Sequence, residues 1–227
     1  THEGIDRYNG KQYTHYSLTA NGKLLGTSHR IIPDRIEAGT FMIGAVITKG
    51  KLLIKNIIPE HLTPIIAKLK DMNVTVNILD KGKNSIYNNA DIEIFSKNTL
   101  TNTDIKTLPF PGFPTDMQAQ FMALMAITEG TGIINETIFE NRFMHAGELN
   151  RMGADIKIES KSAIIKGVKK LTGTQVKATD LRAGAALILS ALIAEGETEI
   201  SDIYHIERGY YHIEEKLQAL GAKIKKI

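Results

Sequence analysis

Three times along this 227-residue chain an apolar segment rich in small residues runs up to a glycine: residues 39–50 (GTFMIGAVITKG), 116–130 (DMQAQFMALMAITEG) and 181–196 (LRAGAALILSALIAEG). Such a repeat constrains the fold more than any local propensity, because one supersecondary unit must serve in every copy. Each segment reads as a buried helix closed by a C-terminal glycine, where a left-handed residue meets no Cβ clash. A stretch of alternating or β-branched character follows each time, at residues 51–57, 132–137 and 198–203, and predicts a strand.

A second, amphipathic helix comes next in every copy. Over residues 59–72 the apolar positions Leu62, Ile65, Ile66, Leu69 and Met72 fall at helical spacing. Over 141–152 they are Ala146, Leu149 and Met152, and over 209–220 they are Tyr210, Ile213, Leu217 and Leu220. The helices terminate alike, at Asn73, Gly153 and Gly221, which lie 23, 23 and 25 residues beyond the glycines of the first helices. Strands are then predicted over 74–79, 154–159 and 222–227, with a further strand near 85–87 and 163–166 in the first two copies. A short extra strand precedes the first helix in the second and third copies, as at 175–178.

Units of this kind cannot each bury both faces alone. The expectation is therefore an α/β fold in which three copies, over about 31–95, 108–167 and 175–227, pack with helices inside and small sheets outside. Residues 1–30 lie outside the pattern, and Asn21-Gly22 between candidate strands at 12–18 and 23–25 suggests a hairpin there.

Composition narrows the function classes. With 42% hydrophobic and 23% charged residues the chain is an ordinary globule, not a disordered segment or a coiled coil. The longest apolar runs, such as residues 183–194, carry polar breaks and fall short of the ~20 residues that span a bilayer, so no membrane partner is expected. Twenty-eight basic and 25 acidic residues are scattered along the chain instead of forming a basic stripe, which argues against nucleic acid. With no cysteine, a disulfide framework, a thiolate metal site and a cysteine nucleophile are excluded within these residues. The seven histidines show no metal-ligand spacing and no phosphate-loop glycine motif occurs, so neither a metal nor a nucleotide cofactor is expected. The chain opens Thr-His-Glu-Gly-Ile-Asp without an initiator Met or an apolar leader, which suggests a piece of something longer, without a secretory signal and located in the cytoplasm.

Charged residues recur at matching junctions. Asp34, Asp116 and Asp180 all stand just before or within the first turn of a first helix, where a carboxylate commonly caps free N–H groups. Arg35 and Arg182, next to two of them, oppose the helix dipole and need another reason, such as an Asp partner or an anionic ligand. Arg142 and Arg208 each lie 12 residues after their repeat glycine, in the turn leading to the second helix. A surface salt bridge explains either one singly; recurrence beside helix N-termini points to a phosphate or carboxylate site. The segment 108–116 (LPFPGFPTD) holds three prolines and delivers Thr115-Asp116 by what reads as a rigid, extended approach, suiting either a positioned proton-transfer carboxylate or a structural cap.

The strings PFPGFPTDMQAQFMAL, ETIFENRFMHAGELNRMGADI, ATDLRAGAALIL and AEGETEISDIYHIERGYYHIEEKLQALGA resemble the enolpyruvyl transferase family, and within it the UDP-N-acetylglucosamine 1-carboxyvinyltransferases, over about residues 31–227. The shikimate-pathway enolpyruvyl transferases are similar more distantly and are disfavoured by ENRFMH and YHIERGY. The resemblance implies an inside-out α/β barrel, or α/β prism, of three βαβαββ-type units. It also implies addition of the 3′-hydroxyl of UDP-N-acetylglucosamine to C2 of phosphoenolpyruvate, then loss of phosphate, between two closing domains.

By that resemblance Asp116 matches the aspartate that contacts the sugar 3′-hydroxyl and is proposed as its base. Ile138 stands where the backbone contacts the sugar nucleotide, and Arg142, Asp180, Arg182 and Arg208 match residues lining the cleft, the last chiefly toward the phosphoenolpyruvate anion. Arg35 is added to this set from its place beside Asp34. The family's Lys-Asn pair, loop cysteine and loop arginines have no counterpart here. The chain is therefore expected to be the carboxy-terminal half, with residues 1–30 the end of the other domain plus an insertion near 11–27. Such a half would be inactive without its amino-terminal domain. A non-catalytic sugar-nucleotide-binding or interaction module is the alternative.

Overall fold

The computed structural model describes residues 3–8, 13–18, 28, 31–80, 89–96 and 99–227. They fall into two compact units, residues 1–32 and 33–227. In the first, β1 (Glu3–Tyr8) and β2 (Tyr13–Leu18) form an antiparallel hairpin, with Tyr8 opposite Tyr13. Of the strands expected here, β2 matches the earlier one but pairs backward along the chain; the Asn21-Gly22 turn and the strand at 23–25 lie outside the described residues.

The second unit repeats one motif. Its first copy runs α1 (Arg35–Ile47), β3 (Lys51–Ile57), α2 (Thr63–Asp71), β4 (Thr75–Asp80) and β5 (Ala90–Phe95), the strands forming an antiparallel sheet in the order β3-β5-β4. The second runs β6 (Ile105–Lys106), α3 (Gln118–Ala126), β7 (Thr131–Asn135), α4 (Met144–Arg151), β8 (Asp155–Glu159) and β9 (Ser162–Lys166) in the sheet β6-β7-β9-β8, with only β6 and β7 parallel. The third runs β10 (Gln175–Lys177), α5 (Leu181–Ala191), β11 (Glu199–Ser201), α6 (Tyr204–Glu207) and α7 (Ile213–Ala219), with β10 parallel to β11.

The helices α1, α3 and α5 pack against one another at the centre, and the sheets lie outside. Every residue of α3 is buried, as are Ala183–Ser190 of α5, so small residues are needed for the close approach. A Cβ on Gly184 would sit 2.3 Å from Cγ1 of Ile206. One polar cluster crosses the centre. Tyr210 Oη lies 2.8 Å from Thr40 Oγ1, and Gln120 Nε2 donates to both oxygens at 3.2 and 3.1 Å, so each repeat contributes one side chain.

The second helices end in the same way at the level of single bonds. Val74, Ala154 and Ala222 donate backbone N–H to the carbonyls of Leu69, Leu149 and Leu217 at 3.0, 3.1 and 3.0 Å, and Asn73, Gly153 and Gly221 hold positive φ of 67°, 95° and 98°. This is one Schellman turn used three times, with Asn tolerated once. The first helices differ from expectation. Gly130 and Gly196 are left-handed but belong to turns beyond α3 and α5, whose C-caps are Ile127 and Leu192. After α1 the left-handed residue is Lys49, not Gly50.

Two further expectations need correction. The helix expected over 209–220 is shorter, starting only at Ile213 as α7 behind a left-handed His212, the short α6 stands ahead of that span at 204–207, and Leu220 is exposed. Residues 222–227 form no strand: β4 and β8 exist by pairing with β5 and β9, and no such partner is present for 222–227 among the described residues. A groove of about 1620 Å³, lined by parts of β11, α5, α7 and residues 222–227, occupies that place. The strand expected near 85–87 lies outside the described residues, and the strand that pairs with β4 is β5.

Candidate active site

The three aspartates at the first helices do different work. Asp34 caps α1, its Oδ1 accepting from the N–H groups of Ile36 and Glu37 at 2.7 and 3.2 Å. Asp180 caps α5, its Oδ1 accepting from Arg182 and Ala183 at 2.8 and 3.0 Å. Asp116 caps nothing. It lies in a 3₁₀ turn, Thr115–Met117, ahead of α3, and α3 draws no side-chain cap bond.

Two guanidiniums converge on this free carboxylate. Arg142 Nη2 donates to Asp116 Oδ1 at 2.7 Å, while Arg142 Nη1 donates to Thr115 Oγ1 at 2.9 Å. Arg182 Nη2 lies 3.6 Å from Asp116 Oδ2 and its guanidinium sits over the Tyr210 ring at 5.5 Å. Here is the reason for an arginine in the first turn of α5: its partner is an aspartate from the preceding repeat. The two arginines are mostly buried, their side chains 18% and 14% exposed, whereas Asp116 is 41% exposed and keeps contact with solvent. Its Oδ2, beyond hydrogen-bond reach of Arg182, retains free accepting capacity.

The proline-rich segment is not the extended approach expected. Leu108 N–H bonds to the Phe113 carbonyl at 2.9 Å and Gly112 N–H to that of Pro109 at 2.7 Å, so the segment folds back on itself. A Cβ on Gly112 would stand 2.5 Å from Cβ of Leu108, which explains the glycine. Phe113 is buried edge-on against Phe121 at 5.0 Å and anchors the loop just ahead of Thr115. Arg35 packs on the exposed ring of Phe110 in the same loop, 4.9 Å from its centroid.

Ile138 and Phe139 lie in the turn after β7, partly exposed, with the Arg142 guanidinium over the Phe139 ring at 4.9 Å. The structure thus brings Asp116, Arg142 and Arg182 together, places Ile138 on the turn after β7 and Arg35 in the first turn of α1 against the loop that leads to Asp116, and gives Asp180 a capping role beneath Arg182. Arg208 is exposed after α6 and forms no ion pair among the described residues; Gly209 next to it packs against Leu181 at the start of α5.

Two buried groups escaped the sequence reading. Glu136 accepts hydrogen bonds from Thr107, Thr115, Ile138 and Phe139. His145, on α4, is held neutral, its pKa lowered to about 4 by burial, with Asp180 opposing and Arg142 reinforcing that shift. No spacing motif marks either one, since Thr107 and Thr115 lie 29 and 21 residues before Glu136 and Asp180 lies 35 residues after His145. The described residues whose donor atoms converge as if for a metal are His212, Glu214 and Glu215, and none of them meets Asp116.

The chain matches the EPSP synthase (3-phosphoshikimate 1-carboxyvinyltransferase) family over residues 7–217. It belongs to that family. It is 55% identical over 210 residues to UDP-N-acetylglucosamine 1-carboxyvinyltransferase 2 of Carboxydothermus hydrogenoformans, covering 92% of this chain and 48% of that protein. It is 57% identical over 202 residues to UDP-N-acetylglucosamine 1-carboxyvinyltransferase 1 of Caldanaerobacter subterraneus subsp. tengcongensis, covering 89% and 46%. The chain spans about half the length of the curated relatives it matches.

Among solved structures, the enolpyruvyl transferase NikO from Streptomyces tendae superposes with a TM-score of 0.75 at 30% identity, over 86% of this chain and 44% of that one. An EPSP synthase from Acinetobacter baumannii, at 21% identity and a TM-score of 0.71, shares the fold over 99% of this chain and 53% of its own. The fold is the enolpyruvyl-transferase α/β fold, with helices inside and sheets outside. No helix among the described residues is long and apolar enough to cross a membrane.

Proposed function

We propose that this chain forms one wall of a site at which the 3′-hydroxyl of UDP-N-acetylglucosamine adds to C2 of phosphoenolpyruvate and phosphate then leaves, the entry step of peptidoglycan synthesis in the cytoplasm. The observation that carries the reading is that Asp116, alone among the three equivalent aspartates, is released from capping and gripped by two arginines. Asp116 takes the hydroxyl proton on Oδ2, the oxygen without a hydrogen bond, while the Arg142 contact fixes the carboxylate plane. Both substrates are anionic, and Arg142 and Arg182, backed by Arg35 at the start of α1 and Arg208 after α6, offset that charge. Ile138 supplies backbone groups to the sugar nucleotide, and the residues that protonate phosphoenolpyruvate come from the portion of the relatives' length outside this match.

Calorimetry tests the binding half: UDP-N-acetylglucosamine should bind the 227-residue chain and lose affinity with Arg142→Ala. In a protein of the relatives' full length that carries this chain as its matching half, Asp116→Asn should lower phosphate release about 10²-fold or more, as for loss of a general base. Unchanged release refutes the role of Asp116, and a chain that takes up no sugar nucleotide refutes the site.

A further inference from the structure

Glu136 is a carboxylate buried to 1% exposure that accepts four hydrogen bonds, all from neutral groups. Its Oε1 takes the Thr107 hydroxyl at 2.8 Å and the backbone N–H groups of Ile138 and Phe139 at 2.8 and 3.2 Å. Its Oε2 takes the Thr115 hydroxyl at 2.8 Å. No cation pairs with it among the described residues, although a buried charge without a cation is costly and a cap or a packed apolar side chain would hold a turn more cheaply. What distinguishes these four donors is where they lead. Thr115 precedes Asp116 and, having given its proton to Glu136, offers a lone pair to Arg142 Nη1 at 2.9 Å. Arg142 in turn grips Asp116 at 2.7 Å. Ile138 and Phe139 form the turn on whose ring the same guanidinium rests.

We infer that Glu136 is a positioning residue: it fixes the Thr115 proton, and through it the Arg142–Asp116 pair, in register with the backbone of Ile138. The inference rests on the site reading above for its ligand, but the register itself exists without one. An acceptor-only carboxylate forces each hydroxyl to donate toward it, so the Thr115 lone pairs face Arg142; a side-chain amide at that place donates instead and competes with the guanidinium for them. Small misplacements of such groups carry large kinetic penalties.

Glu136→Gln preserves shape and removes that polarity; Thr115→Val cuts the arm toward Arg142, and Thr107→Val cuts the bond on the far side of Glu136 together with the Thr137 N–H bond to the same hydroxyl, leaving the arm toward Arg142 intact. Expected for Glu136→Gln and Thr115→Val is a loss of UDP-N-acetylglucosamine affinity of about tenfold by calorimetry, non-additive in the double variant, with Thr107→Val within about twofold of the parent. Equal losses for Thr107→Val and Thr115→Val mean a merely structural carboxylate and overturn the inference. A second readout needs no ligand: NMR signals of the Arg142 guanidinium should move in Glu136→Gln and Thr115→Val, and hydrogen exchange at Ile138 and Phe139 should quicken in Glu136→Gln. Unmoved signals overturn the inference. If the parent chain binds no sugar nucleotide, the site reading fails, and the ligand-free readout still decides the role of Glu136.

Discussion

Replacing Tyr210 by Phe removes one oxygen from the centre of the fold, and the proton bookkeeping there gives its cost. Thr40 Oγ1 donates its own proton to the Ile36 carbonyl at 2.8 Å. The proton between Thr40 and Tyr210 is therefore the tyrosine's, and the two N–H groups of Gln120 serve the two oxygens. Phe leaves one Gln120 N–H without an acceptor in a site where Tyr210 and Gln120 are 1% and 0% exposed. Gln120 Oε1 already lacks a partner there, so the amide has no second arrangement to fall back on. An orphaned buried donor costs about 2 kcal/mol, more than the bond itself contributes. For a chain of this size that corresponds to a fall of roughly 4–8 °C in Tm. Urea unfolding of Tyr210→Phe, Gln120→Met and the pair forms the assay. In the Met background no donor is left stranded, so the same Tyr→Phe change should cost less than about 1 kcal/mol. A cost as large with Met at 120 as with Gln, or a cost near zero in the parent, refutes the account.

Other outcomes follow from single features. Asp34→Ala strips α1 of two cap bonds and should lower stability by about 1 kcal/mol, read as a lower urea midpoint at unchanged m, with Asp34→Asn restoring most of it. Gly153 has φ of 95° and nothing within 4 Å of a Cβ built there, so Gly153→Ala should cost about 1 kcal/mol through backbone conformation alone; a neutral result contradicts the left-handed turn. His145 is held neutral with a pKa of about 4 against 6.5 when free, so between those values the unfolded chain binds a proton that the fold refuses. Stability from this group falls as pH drops from about 6.5 to 4, by about 3 kcal/mol in all, and His145→Gln should flatten that part of the stability–pH profile.

Much of this architecture was legible in the spacing of a few residues. The apolar positions Leu62, Ile65, Leu69 and Met72, with Ala146, Leu149, Met152, Ile213 and Leu217 in the other copies, are all buried, because helical periodicity reports a face directly. Leu220 falls at the same helical spacing yet is exposed, next to residues 222–227 where no strand forms, and strand pairing is a long-range property. The same limit applies to residues 222–227, whereas at the end of α1 the left-handed conformation is local and falls on Lys49, one position before the glycine that advertises it. At the site, Asp34, Asp116 and Asp180 occupy matching positions in the three repeats, and spacing does not tell a cap from a free carboxylate. That difference comes from the folded-back loop before Asp116 and from arginines 26 and 66 residues onward. Glu136 and His145 were invisible for a related reason: what singles them out is burial and the identity of their neighbours.

The mutual contact of α1, α3 and α5 has a consequence for how the fold comes apart. In a linear array of repeats each unit touches only its neighbours, so an end unit can fray while the others stand. Three first helices that all touch one another leave no end unit. Losing any one of them strips apolar cover from the other two, and losing any one repeat breaks the hydrogen-bonded centre of Thr40, Gln120 and Tyr210, so these repeats should melt together, in one cooperative step.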